Sequence, residues 1–271
     1  MEHRKGMVMN MNLQVLVSGV RQDVSTMAER MHLESDAIII NQTDAFAFQE
    51  YEYAGKKISC YSFAEKGVGL SRNNALLRAT ADIVLFSDED IVYEDGYAKK
   101  VLKAFEKHPM ADILLFNMDV AENRATYHTE TETRVKWYNC GRYPTYSFAI
   151  RREKLHRYNI TFSLLFGGGA KYSNGEDSIF IRDCLKKGMK AVAVPVTIGK
   201  EVPRPSTWFD GYTEKFFFDR GVLYQYLYGK MALPFAVRFL VKHRNMMFKE
   251  EYPIDMKTAY SLMRKGMRHK A

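Results

Sequence analysis

The chain has 271 residues, 46% of them hydrophobic, and a formal net charge of +8 at pH 7. This length allows one sizeable core with an extension, so we expect no second domain that folds by itself. The three cysteines are widely spaced and include no CxxC pair, which excludes the usual zinc and disulfide frameworks and favours a cytoplasmic location.

Short apolar runs alternate with segments of helical length over most of the chain. This alternation predicts an α/β fold, with a mostly parallel central sheet and helices on both faces. In chain order, the predicted elements are a strand over 13–17, a helix over 21–35, strands over 37–40 and 58–63, a helix over 70–80, a strand over 82–86, a helix over 96–108, strands over 113–118 and 147–151, a helix over 177–187 and a strand over 191–194.

Two stretches fall outside this alternation. Residues 120–145 are polar and aromatic without clear periodicity, as expected of a loop region over a site. After the last predicted strand the sequence is helical and rich in aromatic residues. We therefore expect an α/β domain over residues 1–205 and a helical, basic extension over residues 206–271.

The extension carries much of the positive charge. From Arg238 onward, nine basic residues face three acidic ones. An anionic membrane surface fits this charge, with Phe235, Phe239 and Leu240 as apolar contacts, and a solvated face is the alternative. RNP, KH and zinc-finger patterns are absent, which disfavours nucleic acid. We expect no signal peptide, and the apolar stretch 231–241 is too short to span a bilayer.

Three acidic residues, Asp88, Glu89 and Asp90, follow the predicted strand 82–86. In open α/β sheets ligands bind beyond the carboxyl ends of the strands, and adjacent carboxylates repel one another unless a cation lies among them. Alternate residues of an extended chain point the same way, so Asp88 and Asp90 can share one Mg²⁺ or Mn²⁺ ion. The alternative is a solvated acidic turn that caps the helix beginning near Asp95.

A glycine-rich helix start precedes this strand. Gly67 and Gly69 allow the backbone to approach a ligand closely, and Arg72 can contact phosphate or pair with the acidic turn. The order of helix start, apolar strand and Asp-x-Asp resembles glycosyltransferase family 2. Gly67 matches the first residue of the family's G-x-x-x-A-R-N-x-G pattern, and Ser71, Arg72 and Asn73 stand at its Ala-Arg-Asn step.

A second match lies downstream, where the run Asn-Gly-Glu-Asp precedes a predicted helix. It resembles the Glu-Asp motif of the family, which implies that Asp177 is the catalytic base and that Glu176 stands beside it. An aspartate before an apolar helical run is also a good helix N-cap, and this alternative stays open. The resemblance covers about residues 11–200.

The resemblance implies a GT-A fold and an inverting, hexosyl-type glycosyltransferase. A divalent metal, Mn²⁺ or Mg²⁺, would rest on Asp88 and Asp90, and the substrates would be a nucleotide-sugar, most often a UDP-sugar, and an acceptor hydroxyl. We expect the acceptor to be a saccharide or a lipid-linked oligosaccharide of a cell-surface polysaccharide pathway, used at the inner face of the membrane. The residues expected to bind the donor are Asn41, Asp44, Gly67, Arg72, Asn73 and Asp88.

The sequence departs from the family pattern in ways that leave some contacts open. The usual Pro-x-Tyr-Asn ending of the first strand is replaced by Ser-Gly-Val, and either Asn41 or Asp44 stands in place of an acidic residue that contacts uracil. Residues 197–208 contain no histidine, so the third metal ligand is open. Two alternatives share the fold: a sugar-phosphate nucleotidyltransferase and a non-catalytic nucleotide- or carbohydrate-binding protein.

Overall fold

The computed structural model describes residues 11–121, 127–203, 211–249 and 254–269, in which ten strands form one sheet with helices on both faces. The strands are β1 (Leu13–Val20), β2 (Asp36–Gln42), β3 (Ala47–Tyr53), β4 (Lys56–Phe63), β5 (Ile83–Asp88), β6 (Ile91–Tyr93), β7 (Ile113–Asp119), β8 (Thr133–Arg134), β9 (Phe148–Arg151) and β10 (Ala191–Glu201). The helices are α1 (Met27–Arg30), α2 (Val68–Arg78), α3 (Tyr97–Lys107), α4 (Arg152–Tyr158), α5 (Glu176–Lys186), α6 (Glu214–Tyr228), α7 (Ala232–Lys242), α8 (Arg244–Met247) and α9 (Met256–Arg268).

The sheet combines two parallel parts. Its strand order is β3-β4-β2-β1-β5-β9-β7-β10-β6, with β8 on β10. The strands β4, β2, β1 and β5 are parallel, as are β7 and β10, and antiparallel β9 joins the two parts. The predicted α/β fold with a flanked central sheet is confirmed. The sheet is more mixed than predicted, because β3, β6, β8 and β9 all pair antiparallel.

Alternate residues of the central strands fill two cores. Val15 and Leu85 pack with α1 and α3 on one face. Leu16 and Phe86 pack with α2, α4 and α5 on the other face. Side chains of a strand alternate between faces, so a strand buried on both faces is apolar throughout, and this explains the runs LQVLV and DIVLF.

Two predicted elements differ clearly from the structure, and β3, β6, β8 and α4 were not predicted. The helix predicted over residues 21–35 is only the four-residue α1, because the Asp23 carboxylate accepts hydrogen bonds from Ser25 and forms a turn that competes with a helix. The strand predicted to end before Pro195 continues to Glu201, since a register shift places the exposed proline at an irregularity. Strand β3 was not predicted, because its residues are mostly exposed and only Tyr51 and Tyr53 pack partly against the core.

The C-terminal helices pack on one another and on α5. Helices α6 and α9 cross at Gly221 and Gly266, where an added Cβ would lie 2.1 Å from a backbone oxygen of the other helix. Leu223 of α6 packs in one cluster with Ile179 of α5. Helices α6 to α9 lie within the predicted extension, whose predicted boundary between residues 205 and 206 lies outside the described residues, so the division into domains stays a prediction.

Two sequence features have simple structural counterparts. The cysteines Cys60, Cys140 and Cys184 are free and buried. In the described parts of the chain, no helix is both long and apolar enough to cross a membrane.

The close crossing of α6 and α9 predicts the effect of Gly221→Ala. In an open helix this change stabilises by about 0.5–1 kcal/mol, but here the new methyl group overlaps the Met263 carbonyl, which is backbone. We expect a loss of about 1–3 kcal/mol, measured by urea unfolding. Gln225→Ala, at an exposed position of the same helix, is the control. A Gly221→Ala variant as stable as this control would contradict the close crossing.

Candidate active site

One buried arginine joins the two acidic motifs. Arg72 lies on α2 and its side chain is only 5% exposed. Its Nη2 donates to Asp88 Oδ1 at 2.9 Å and its Nη1 donates to Glu176 Oε1 at 2.9 Å. Asp88 ends β5 and Glu176 begins α5. The arginine therefore holds the carboxyl end of a central strand next to the start of the helix that carries the second motif.

Two carboxylates surround the single positive charge of this cluster. Burial would lower the pKa of Arg72, but the carboxylates of Asp88 and Glu176 outweigh it and raise that pKa. The guanidinium thus stays protonated. The ring of Phe162, whose centroid lies 5.4 Å from the guanidinium carbon, covers one side of the arginine.

The glycines of the first motif bring a loop against α2. The Gly67 backbone adopts φ 125°, which favours glycine, and its N–H donates to Gln42 Oε1 at 2.7 Å. The Val68 N–H donates to the Gly168 carbonyl at 3.0 Å, and a Cβ on Gly69 would lie 2.4 Å from the Ser163 oxygen. These positions were predicted to approach a ligand, and in the structure they allow close approach of the segment 163–169.

Asn73 clamps the same loop. Its Nδ2 donates to the Phe162 carbonyl at 2.9 Å, and its Oδ1 accepts from the Phe162 N–H at 2.7 Å. The backbone of Phe162 therefore binds both the nitrogen and the oxygen of the Asn73 side-chain amide. The observed contacts of Asn73 are therefore structural, and its expected contact with the donor stays a prediction.

Asp177 is half-buried in the first turn of α5. Gly175, with φ 107°, occupies the N-cap position, so the expected alternative that Asp177 caps the helix is not the geometry found. Its Oδ1 accepts from the N–H and the hydroxyl of Ser178, at 2.6 and 3.1 Å. Burial, and then the nearby Glu176 carboxylate, raise the pKa of Asp177 to about 7. A carboxylate with that pKa can accept a proton near neutral pH.

The residues of the acidic turn make contacts in different directions. Glu89 turns back toward β1, where its Oε2 accepts from the Val20 N–H at 2.5 Å. Asp88 is held by Arg72 through one oxygen, and the Asp90 carbonyl accepts from the Val202 N–H at 2.8 Å. Among the described residues, no group of three His, Cys, Asp or Glu side chains could hold a metal ion.

The two candidates for base recognition lie at the end of β2. Asn41 Oδ1 accepts from the Gln22 N–H at 3.0 Å and Asn41 Nδ2 donates to the Gln22 carbonyl at 2.9 Å. Asp44 is exposed and accepts from Arg21 at 2.7 Å. These contacts go to the chain after β1 and not to the Arg72 cluster, and the roles of Asn41 and Asp44 toward a nucleotide stay predictions.

Sequence reasoning missed two members of this site. Gln42, which binds the Gly67 N–H, is a polar residue at the end of an apolar strand, and that position is a usable signal. Phe162 follows α4 and contacts Arg72 and Asn73 across a long separation. Its local sequence carries no comparable signal.

The central part of the chain matches a known family. Residues 38–169 match the model described as glycosyl transferase family 2. The match includes Arg72 and Asp88 but ends before Glu176 and Asp177, whose assignment therefore depends on the resemblance of their motif and on the geometry described above. No curated protein sequence is a significant match to the chain.

Solved structures share the fold at low sequence identity. The crystal structure of S. aureus TarS 1–349 in complex with UDP-GlcNAc is 16% identical over 87% of this chain and 73% of that chain, with a TM-score of 0.59. The mannosyltransferase PcManGT from Pyrobaculum calidifontis, in complex with GDP-Man and Mn²⁺, is 14% identical over 95% of this chain and 69% of that chain, with a TM-score of 0.50. The likeness confirms the predicted GT-A fold.

The raised pKa of Asp177 predicts a pH-dependent gain of stability in Asp177→Asn. An acid whose pKa is raised by folding stabilises the fold while it is protonated, and this stabilisation is lost as the pH rises from about 4, its ordinary value, to about 7. The asparagine variant does not ionise. Its melting temperature should exceed that of the wild type by several degrees at pH 8 and by less at pH 5.

The control for this measurement is Asp183→Asn, the same chemical change at a half-exposed position of α5 that pairs with Lys186. It should give no gain that grows with pH. A difference between Asp177→Asn and wild type that is the same at pH 5 and pH 8 would show that folding does not raise this pKa.

Proposed function

The chain is a glycosyltransferase that carries a family 2 domain on a GT-A fold, and from this premise we propose that it moves a sugar from a nucleotide-sugar to an acceptor hydroxyl with inversion. The observation that carries the proposal is the Arg72 cluster, which holds Asp88 of the first acidic motif beside Glu176 and Asp177 of the second. The family match favours this reaction over a nucleotidyltransferase or a non-catalytic binding protein.

The donor is a nucleoside diphosphate sugar, with a UDP-sugar as the first candidate. Structures of the same fold contain UDP-GlcNAc and GDP-Man, so the fold itself accommodates either base. In this chain, the ends of β1, β2 and β5 form one edge of parallel strands, and ligands bind beyond such an edge. Gly67, Arg72 and Asp88 lie there, with Asn41 and Asp44 as candidates for contact with the base.

Asp88 and Asp90 are the residues that would hold a divalent ion. Their carboxylate oxygens are ligands of the kind that Mg²⁺ and Mn²⁺ prefer, and Asp88 keeps one oxygen that Arg72 does not occupy. Among the described residues no third His, Cys, Asp or Glu side chain joins them, so the third protein ligand stays open. When bound, the ion supplies neutralisation of the charge that develops on the departing diphosphate. The Arg72 guanidinium fixes the Asp88 carboxylate in place before any ligand arrives.

Asp177 is proposed as the base that accepts the proton of the acceptor hydroxyl. Its raised pKa of about 7 makes it a stronger base than an ordinary aspartate, and Ser178 orients it through two hydrogen bonds. The hydroxyl attacks the anomeric carbon on the face opposite the diphosphate. A single displacement of this kind inverts the anomeric configuration.

We further propose that α7 attaches the protein to an anionic membrane surface. The apolar contacts expected there need correction. Leu240 is buried in the core of the C-terminal helices, and Phe235 stacks on Tyr228 with ring centroids 4.0 Å apart. Phe239 packs edge-on against Tyr224. Leu240 therefore cannot contact a membrane, and Phe235 and Phe239 are partly buried because their rings pack against α6.

The exposed apolar residues of α7 are different ones. Leu233, Val237 and Val241 recur every four residues, so they form one stripe, and they are 40%, 44% and 52% exposed. Arg238 and Lys242 are exposed beside this stripe. An apolar stripe flanked by basic side chains fits an interface between anionic headgroups and acyl chains. An acceptor displayed on a lipid would then be close to the enzyme.

Nucleotide binding and turnover test the two acidic motifs. Wild-type protein should bind UDP more tightly with Mn²⁺ than without it, as measured by calorimetry. Asp90→Asn should lose this enhancement, while Asp177→Asn should keep it and should release UDP from a UDP-sugar about 10²- to 10⁴-fold more slowly. Tighter binding of UTP than of UDP would instead favour a nucleotidyltransferase.

Sedimentation with vesicles tests the α7 stripe. Wild-type protein should sediment with phosphatidylserine vesicles at low salt, and less at high salt because the basic side chains are screened. Changing Leu233, Val237 and Val241 to serine should abolish sedimentation. The control changes Leu77 and Met110, exposed apolar residues elsewhere, to serine. Equal sedimentation of both variants would remove α7 as the membrane contact.

A further inference from the structure

A pocket separate from the nucleotide-side residues lies between α6, α7 and the turn Cys140–Arg142. Its volume is about 320 Å³. None of Arg72, Asp88 and Asp90 lines it. Its walls combine basic and aromatic side chains, and they come from the C-terminal helices and from the loop region that the sequence placed over a site.

The pocket adjoins the start of α5. Gly141 forms part of its wall, and a Cβ built on Gly141 would lie 3.1 Å from the Tyr228 hydroxyl and 3.7 Å from Ser178 Oγ. Ser178 in turn donates two hydrogen bonds to Asp177. A single glycine therefore separates the pocket from the residues that orient the proposed base. A larger side chain at Gly141 would close this approach.

The charged side chains that line the pocket are all basic. Arg142, Arg238 and Lys242 line it, with His243 beside them, and no acidic residue is among its described lining residues. Within the described part of the chain, Arg238 and Lys242 form no ion pair. Several cations that share one concavity without a carboxylate repel each other, and a bound anion removes that repulsion. Guanidinium groups bind phosphate and carboxylate oxygens with two parallel hydrogen bonds.

Aromatic rings supply the rest of the wall. Phe235 is stacked on Tyr228, and Phe239 packs against Tyr224, so these rings are held in place by one another. Tyr138, which the sequence analysis placed in the irregular region, is half exposed at the same pocket. Fixed aromatic surfaces beside polar groups suit the CH faces of a sugar ring.

We propose that this pocket binds the acceptor, and that the acceptor is a saccharide carrying an oxyanion, a phosphate or a carboxylate, close to the accepting hydroxyl. The inference rests on the proposed function, because it takes Asp177 as the base that the hydroxyl must reach. Aromatic rings hold the sugar, Arg238 and Lys242 hold the anion, and the hydroxyl points past Gly141 toward Asp177. The apolar stripe of α7 lies on another face of the helix, and Arg238 and Lys242 lie between that stripe and the pocket, so both proposals involve these two residues.

Binding of three probes tests the pocket without any transfer reaction. The probes are methyl glucoside, methyl glucoside 6-phosphate and methyl glucuronide, and saturation-transfer NMR reports their affinities. At least one charged probe should bind ten or more times more tightly than the neutral one, and a preference between the two identifies phosphate or carboxylate as the anion. Equal affinity for all three probes would overturn the proposal.

Paired variants locate the binding. Arg238→Gln with Lys242→Gln should lower the affinity for the preferred charged probe at least tenfold. Lys99→Gln with Lys103→Gln removes the same charge from exposed positions of α3 and should leave that affinity unchanged. Circular dichroism checks that both variants are folded. Equal losses in the two variants would show a general effect of net charge and no site.

The outcome separates this inference from the proposed function. Failure of both UDP and GDP to bind with Mn²⁺, with tight binding of a charged probe, would reject the transferase proposal and leave an anionic saccharide site. Normal UDP binding with Mn²⁺, together with no preference for a charged probe, would reject the acceptor inference alone. A Gly141→Val variant tests the path from the pocket to Asp177. It should transfer sugar to the preferred probe more slowly than the wild-type protein does.

Discussion

The ion pairs of Arg72 are the interaction on which the rest of the site depends. A buried guanidinium is costly to desolvate, and it is tolerated because two carboxylates from distant parts of the chain meet it at 2.9 Å. Neighbouring contacts hold α2, which carries Arg72, against the segment of the chain that leads to Glu176. Asn73 holds the Phe162 backbone, and the glycine at position 69 lets the following loop lie against α2. Removing either carboxylate would leave the buried guanidinium with only one of its two partners.

Much of the fold could be predicted from the sequence because its central strands are buried on both faces. The runs that became β1, β2 and β5 are continuous and apolar, and the strand ends therefore located Asp88 as well. Elements that are exposed or very short, such as β3 and β6, lack that signal. Antiparallel β9 was predicted as a strand, but its direction depends on partners far along the chain.

Those site residues that belong to recognisable sequence motifs could be predicted. Arg72, Asp88 and Glu176 were candidates from their patterns, and the structure joins them. The use of Asn73 for a backbone contact was not predictable, because its partner lies 89 residues away and is recognised only through main-chain atoms. The basic residues of the extension were noted as a charge excess. Their arrangement in a pocket depends on how α7 packs against α6, which no local pattern encodes.

The separation of 104 residues between Arg72 and Glu176 has a consequence for the order of folding. Contacts between residues far apart in the sequence form late, because a long loop must close before they can stabilise the fold. During synthesis the strands from β1 to β5 emerge well before α5, so Arg72 at that stage has Asp88 but not Glu176 as a partner. The α6 residue Leu223, which packs at Gly175, emerges later still. The Arg72 cluster can therefore close only after α5 is made, and a nascent chain that stalls before α5 leaves Arg72 without Glu176.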